Sequence, residues 1–329
     1  MKNMHYFLKN LLVTLLLLIA SQVYAINQPC WLKELIKDLA KPDVSIEFKT
    51  FFKDAPEANY EAYKILYRGN KTKLRYDIEA LKTVKRLKAD ENFVNYIESL
   101  QIPNVRNVDE FLGKITGWYN QSSEGKKYIE VLENMQTFVS TLKKSNTQCN
   151  NCVYLFNRFI VNDTPTGVNR QACFWLMEDV AANPNMINNK TISVEAPVTG
   201  VDGTIQRVDL KVGSSPSVNL EYKWLSSDTP IGKETFIREF VKRDLFSVNS
   251  LEEIQWRIKW NSSNSNKLTK DQMIVFLSSI EGKEALKAVG YEKLKRIFPD
   301  DAFMNVNNFV DRVIKNFDNE IVFNKIFIY

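Results

Sequence analysis

Apolar positions change period midway along the chain. From Trp31 to Leu39 they fall at the spacing of a short amphipathic helix. A longer block, Asn59 to Leu100, sets Tyr63, Ile65, Leu66, Leu74, Ile78, Leu81, Val84 and Leu87 at helical spacing; Gly69-Asn70 interrupts it and predicts a helical hairpin. Gly125 to Lys143 predicts a further helix with Tyr128, Val131, Leu132 and Met135 on one face. The polar stretch Lys144 to Asn151 predicts a domain boundary. Gly167 to Ala182 then reads as a helix, with Ala172, Trp175, Leu176, Asp179 and Val180 near one stripe. Three strand-like runs follow, Thr191–Val198, Thr204–Val212 and Val218–Leu225, separated by turn residues at 199–203 and 213–216. Lys233 to Phe246 is an amphipathic helix with Phe236, Ile237, Phe240, Val241 and Leu245 inward, and Ile254 to Trp260 alternates as a strand. The expected class is α+β: a helical N-terminal domain, then an α/β domain ordered helix, three strands, helix, strand around a mixed sheet, with C-terminal helices.

The first 25 residues change the picture at the front. Lys2 and Lys9 precede an apolar run, Leu11–Ala20, that is shorter than the roughly 20 residues a membrane span needs. Val23 and Ala25 occupy the small-residue positions before a cleavage site. A signal peptide at 1–25 and an exported product, secreted or periplasmic, are therefore expected. The remaining 304 residues (329 − 25) suit two domains, 26–150 and 151–329. From Asn151 onward Lys+Arg and Asp+Glu balance, 22 against 22, so the net charge of +5 lies in the first half. Cys30, Cys149, Cys152 and Cys173 allow three pairings. Cys149-Asn150-Asn151-Cys152 has redox-motif spacing, but its polar setting favours a loop staple, and a zinc site would require all four thiolates. Cys173 reads as a buried hydrophobe or as half of a disulfide.

His5, the one histidine, falls in the expected signal peptide. Its loss excludes Ser-His-Asp and Cys-His hydrolases, His-ligated zinc proteases and histidine-based nucleases. The absence of Cys-x-Glu argues against base deaminases, and the absence of Glu-x-Glu against sugar-transfer toxins. Carboxylates, lysines and a hard metal ion remain, or no catalysis.

One constellation carries such chemistry. Asp209 lies on the second strand, and Glu221 and Lys223, two apart on the third, share a face. A three-residue turn pairs Asp209 with Glu221 and puts all three together, whereas a two- or four-residue turn sends Asp209 to the other side. Two carboxylates together hold Mg²⁺, whose bound water becomes a nucleophile, and a lysine serves that water or the developing charge. Glu-x-Lys occurs four times, at Glu47, Glu124, Glu221 and Glu281, but only the Glu221 copy follows an aspartate-bearing strand across a turn.

Val168 to Trp260 resembles the PD-(D/E)XK, or restriction-endonuclease-like, nuclease superfamily. Asp209 matches the metal-binding aspartate and Glu221 and Lys223 the E-x-K, while Val208 stands where many members carry proline. The resemblance implies Mg²⁺ or Mn²⁺ as cofactor, Glu178 as a further acidic ligand, and phosphodiester hydrolysis in nucleic acid, DNA by family habit. The chain also resembles bacterial polymorphic toxins, in which a helical segment such as 61–81 precedes a toxin domain; this implies a pretoxin role for the first half and an immunity protein as partner. Arg238, Lys242 and Arg243 are candidates for tracking a phosphate backbone or form a solvated face. Trp256 and Trp260 stack bases or, by preference, pack in the core. The alternatives are a non-enzymatic exported binding protein, in which Asp209, Glu221 and Lys223 form a salt bridge on a solvated sheet face, or an inactive nuclease-like fold.

Overall fold

The computed structural model describes residues 29–53, 57–71, 73–115, 124–161, 168–225, 231–260, 269–298 and 306–329. The expected signal peptide and His5 lie outside the described residues, as does the side chain of Trp260. The chain divides into two compact units, Met1–Glu98 with Asn104–Leu132, and Ser99–Pro103 with Glu133–Tyr329. This division falls ahead of the polar stretch at 144–151.

The first unit is helical. It contains α1 (Cys30–Ala40), α2 (Ile46–Lys53), α3 (Glu57–Arg68), α4 (Ile78–Ala89), α5 (Glu91–Ser99), α6 (Val108–Lys114) and the start of α7 (Glu124–Lys144). Asp77 starts α4 by accepting the backbone N–H groups of Glu79 and Ala80, which satisfies donors that a helix N-terminus leaves unpaired. Tyr63, Ile65, Leu66, Leu81, Val84 and Leu87, on the apolar stripes of α3 and α4, are all buried. Burial pushes the Asp38 carboxyl up, but donation from Lys41, Tyr63 and Tyr76 outweighs it and holds the group below its usual range. Gly69 follows α3 and meets Gly113 of α6 so closely that a Cβ there would overlap the Gly113 carbonyl. Gly69→Ala is therefore expected to destabilise the fold by about 1–3 kcal/mol, read by urea denaturation. An unchanged midpoint would show that the two helices yield freely.

The second unit is built on one six-stranded mixed sheet, ordered β1 (Gln148–Asn150), β2 (Thr191–Thr199), β3 (Ile205–Val212), β4 (Val218–Leu225), β5 (Ile254–Trp260) and β6 (Phe327–Ile328). β1–β2, β4–β5 and β5–β6 are parallel; β2–β3 and β3–β4 are antiparallel. The polar stretch expected to be a boundary thus supplies an edge strand, Gln148–Asn150, paired with Thr191–Ser193. A disulfide joins Cys149 to Cys152, which stands directly before α8 (Val153–Asn157), so this pair is a local staple; Cys30 and Cys173 are free thiols.

Alternation along β4 sends its side chains to two different layers. Tyr222 faces α9 (Val168–Ala182), where Trp175 meets its ring edge-on at 5.1 Å. Glu221 and Lys223 face the crossover helix, which begins as α10 after the short helix Pro184–Ile187, spans Lys233–Phe236, and widens into a π-helix over Ile237–Leu245. Behind that helix Trp256, fully buried, packs against Phe236, Phe240 and Phe327 at ring separations of 5.6–6.0 Å. Burying each such ring contributes roughly 1.5–3 kcal/mol, so this cluster fixes the helix on the sheet. Trp256 is therefore a core residue and not a surface for stacking bases. The C-terminal helices, Lys270–Ser278 through Glu320–Ile326, close the same core with Leu277, Leu286, Val313 and Phe317. Among the described residues no helix is long and apolar enough to cross a membrane.

Candidate active site

The sheet opens in its middle. β3 stays paired with β2 along Ile205–Val212, and β4 stays paired with β5 along Asn219–Leu225. Between β3 and β4 the ladder holds only from Val212↔Val218 to Leu210↔Leu220 and then stops. That register sets Asp209 opposite Glu221 at the first step beyond the ladder. On the other side of β3, pairing with β2 skips the Glu195–Asp209 step without a change of register, and Glu195 has φ +51°. A non-glycine residue in this left-handed region carries strain on the order of 1–3 kcal/mol. Asp209 is thus a β3 residue that has no ladder partner on either neighbouring strand. Its Oδ2 accepts the Tyr222 backbone N–H at 2.7 Å, taking a donor that the interrupted ladder leaves unused.

Glu221 and Lys223 stand across the gap. Lys223 Nζ donates to Glu221 Oε1 at 2.5 Å and to Glu239 Oε2 at 2.7 Å, and lies 5.3 Å from the Trp256 ring centroid. Glu239 comes from the π-helix and shares its other oxygen with the exposed Arg238, at 2.8 Å. Four residues on, Arg243 is buried: its Nε and Nη2 bind the two Asp244 oxygens at 2.6 and 3.0 Å, its Nη1 donates to the Arg207 carbonyl, and Nη2 lies 2.9 Å from Glu221 Oε2. Trp256 Nε1 donates to Asp244 at 2.7 Å. Glu221 is 4% exposed, so the triad is not a salt bridge on a solvated sheet face.

The electrostatics follow from this crowding. Burial, then the charge of Glu221, pushes the Asp209 carboxyl well above the usual carboxylate range, with Glu195 adding to the effect and Lys223 opposing it. Burial works against the Lys223 ammonium, but Glu221, Asp209 and Glu239 outweigh it and raise its pKa, so Lys223 is a cation at neutral pH. Asp209 also borders a small cavity with Glu195, Tyr222, Tyr154 and Cys173. Burial and the nearby Asp209 push the Cys173 thiol up to about 12, which makes it inert.

Asp209 and Glu221 offer oxygen donors, the kind a hard divalent cation selects. Among the described residues Glu221 Oε2, which is buried, has no hydrogen-bond donor, Arg243 Nη2 at 2.9 Å being an ionic contact. Among the described residues no third carboxylate, cysteine or histidine joins them into a three-ligand group. Two carboxylates alone would leave most of such a cation's shell to donors from outside the protein.

Glu178 is not brought to this place. It is about half exposed on α9 and pairs with Lys259 Nζ at 2.7 Å. An exposed pair of this kind contributes little, so Glu178→Gln should shift stability by less than about 0.5 kcal/mol in thermal denaturation, and a shift beyond 1 kcal/mol would contradict its peripheral placement. Its neighbour Asp179 faces the sheet instead, accepting from Tyr222 Oη and Arg257 Nη1, each at 2.7 Å. Arg238 and Lys242 are exposed on the π-helix, as a backbone-tracking role requires, whereas Arg243 is turned inward. Glu239 is not among the residues that strand and helix spacing single out. Its signal is a position one before Phe240 and four before Arg243, on the flank of the apolar stripe.

No family model, no curated protein and no solved structure matches the chain.

Proposed function

We propose that this chain is an exported metal-dependent nuclease of the restriction-endonuclease type that hydrolyses phosphodiester bonds, DNA being favoured over RNA. The observation that carries this reading is the parting of β3 from β4 at the one point where Asp209, Glu221 and Lys223 converge. The order helix, three strands, helix, strand, with an antiparallel hairpin followed by a parallel crossover, supports the same reading. Asp209 and Glu221 would hold Mg²⁺ or Mn²⁺. Bound there, the metal supplies a water of lowered pKa and stabilises charge on the phosphate. Lys223, kept cationic by its carboxylate partners, donates to the attacking water or a phosphate oxygen instead of abstracting a proton. Arg238 and Lys242 lie on the exposed side of the helix that covers the site, where they would meet the phosphate backbone.

Export is part of the proposal and rests on residues 1–25; the Cys149–Cys152 bond suits an oxidising compartment. A toxin role, with the helical unit serving delivery and a dedicated immunity protein as partner, rests on the likeness of residues 61–81 to the segments that precede toxin domains. The test is incubation of the purified chain with supercoiled plasmid and with total RNA, in Mg²⁺ or in EDTA. Metal-dependent nicking or degradation is expected, with the plasmid cut preferentially.

A second reading is favoured by one observation: Glu221 and Lys223 are already neutralised within the protein by Arg243 and Glu239. In that reading the cluster is a structural ion-pair knot in a binding protein or an inactive nuclease-like fold. Intact substrates from a folded chain would select it.

A further inference from the structure

Lys223 has three ammonium protons and two carboxylate acceptors. Glu221 and Glu239 take one N–H each, at 2.5 and 2.7 Å, the first from two residues away on the same strand, the second from the covering helix. The Trp256 ring centroid lies 5.3 Å from the ammonium nitrogen. Among the described residues no other acceptor for Lys223 is present, yet its side chain keeps 19% of its surface exposed. Carboxylates thus take two of its three N–H groups and leave the third without a carboxylate.

Glu239 is held as firmly as the lysine it holds. It is 16% exposed, and Arg238 fixes its second oxygen at 2.8 Å. Phe236 and Phe240, packed against Trp256, pin the helix that carries it. A lysine on four rotatable bonds needs such a support to present a donor in one place, since an unsupported one loses substantial side-chain entropy on being fixed.

We infer that Glu239 is the positioning residue of Lys223: with Glu221 it takes two of the three ammonium N–H groups and leaves the third for an anionic oxygen of a phosphodiester substrate. This rests on the nuclease reading of the same site. Glu239 touches no reacting atom: its one oxygen holds Lys223 and its other the exposed Arg238, so a loss through Lys223 is read in kcat and one through Arg238 in KM. Partners of this outer kind are worth about 10–100-fold in activity. Glu239→Ala should lower kcat by that factor with KM changed less than about threefold, and Glu239→Gln, which keeps an oxygen acceptor, should recover most of the loss.

The experiment pairs these kinetics with a readout that needs no cleavage, the ¹H–¹⁵N spectrum of lysine ammonium groups, assigned by the peak missing in Lys223→Met. A held ammonium gives an observable signal because its protons exchange slowly. The Lys223 peak is expected in the wild type and in Glu239→Gln, and is expected to broaden away in Glu239→Ala. A peak unchanged in Glu239→Ala would overturn the inference, as would a kcat unchanged in an active enzyme or a change confined to KM. If the wild type cleaves nothing, the nuclease reading fails by itself, and the spectra still decide whether Glu239 holds Lys223.

Discussion

Arg243→Leu should destabilise the second unit by about 3–5 kcal/mol, the cost of removing one partner from a buried ion pair and leaving the other uncompensated. Among the described residues Arg243 is the one cation bound to both Asp244 oxygens, and it also contacts Glu221 Oε2 and the Arg207 carbonyl. Without it Asp244 keeps the Trp256 indole N–H at 2.7 Å, and Glu221 keeps Lys223. The loss should depend on pH in a stated direction. Burial already pushes the Asp244 carboxyl up to about 6 against the pull of Arg243. A carboxyl raised in the folded state contributes stability that is full below its unfolded value and is lost as pH rises through its folded value. Removing Arg243 raises the folded value further, so the gap between wild type and variant should be smaller near pH 5 than near pH 8. Urea denaturation at the two pH values reads this. A gap under 1 kcal/mol that is flat in pH would show that Arg243 does not hold the knot together.

The second large effect joins stability to activity at one residue. Asp209→Asn is nearly isosteric and keeps an oxygen to accept the Tyr222 N–H, so the fold should persist. In the metal-free protein the wild-type carboxyl is pushed up to about 8 by burial and by Glu221. Wild-type stability from this group is present below the unfolded aspartate value of about 3.9 and drains away as pH rises through about 8. The amide has no proton to lose. The variant should therefore match the wild type near pH 4 and exceed it by roughly 1 kcal/mol or more at pH 9 in metal-free thermal denaturation. In the same variant cleavage should fall by about 100-fold or more, because a ligand to the metal is gone. A site that costs stability and is needed for activity has the signature of a functional cluster; a variant less stable than the wild type at pH 9 would mark Asp209 as a structural residue.

The sheet was legible where period and turn chemistry agree. β2, β3, β4 and β5 begin and end within about one residue of the segments expected from alternation and from the Gly213–Pro216 turn. β1 is not legible because Gln148, Cys149 and Asn150 are too few to show a period, and its pairing with Thr191–Ser193 is set by tertiary contact. β6, two residues long, escaped for the same reason, and α2 and α6 are too short for a helical stripe to emerge. The crossover helix was expected at its observed place, but its π-helical turns were not, since spacing alone does not separate them from α-helical ones.

At the site, Glu221 and Lys223 were legible because a strand repeats every two residues, and Asp209 because a turn precedes them. What spacing leaves open is whether the hairpin register brings Asp209 round; the ladder through Leu210↔Leu220 does so. Glu239 and the inward turn of Arg243 depend on how a helix docks on the far side of β4, which no local pattern encodes. Glu178 shows the converse. Its position in sequence suits a ligand, while its neighbour Asp179 takes the sheet-facing place on α9 and leaves Glu178 with Lys259.

The central claim is that the gap between β3 and β4 is a metal-dependent hydrolytic site. Its most direct test is the single-turnover cleavage rate, with Mg²⁺ and with EDTA, of the wild type, Asp209→Asn and Glu178→Gln, each shown to be folded. Cleavage is expected to require metal, to fall by about 100-fold or more in Asp209→Asn, and to stay near wild type in Glu178→Gln. Equal rates in the wild type and Asp209→Asn, or no cleavage by a folded wild type, would contradict the claim.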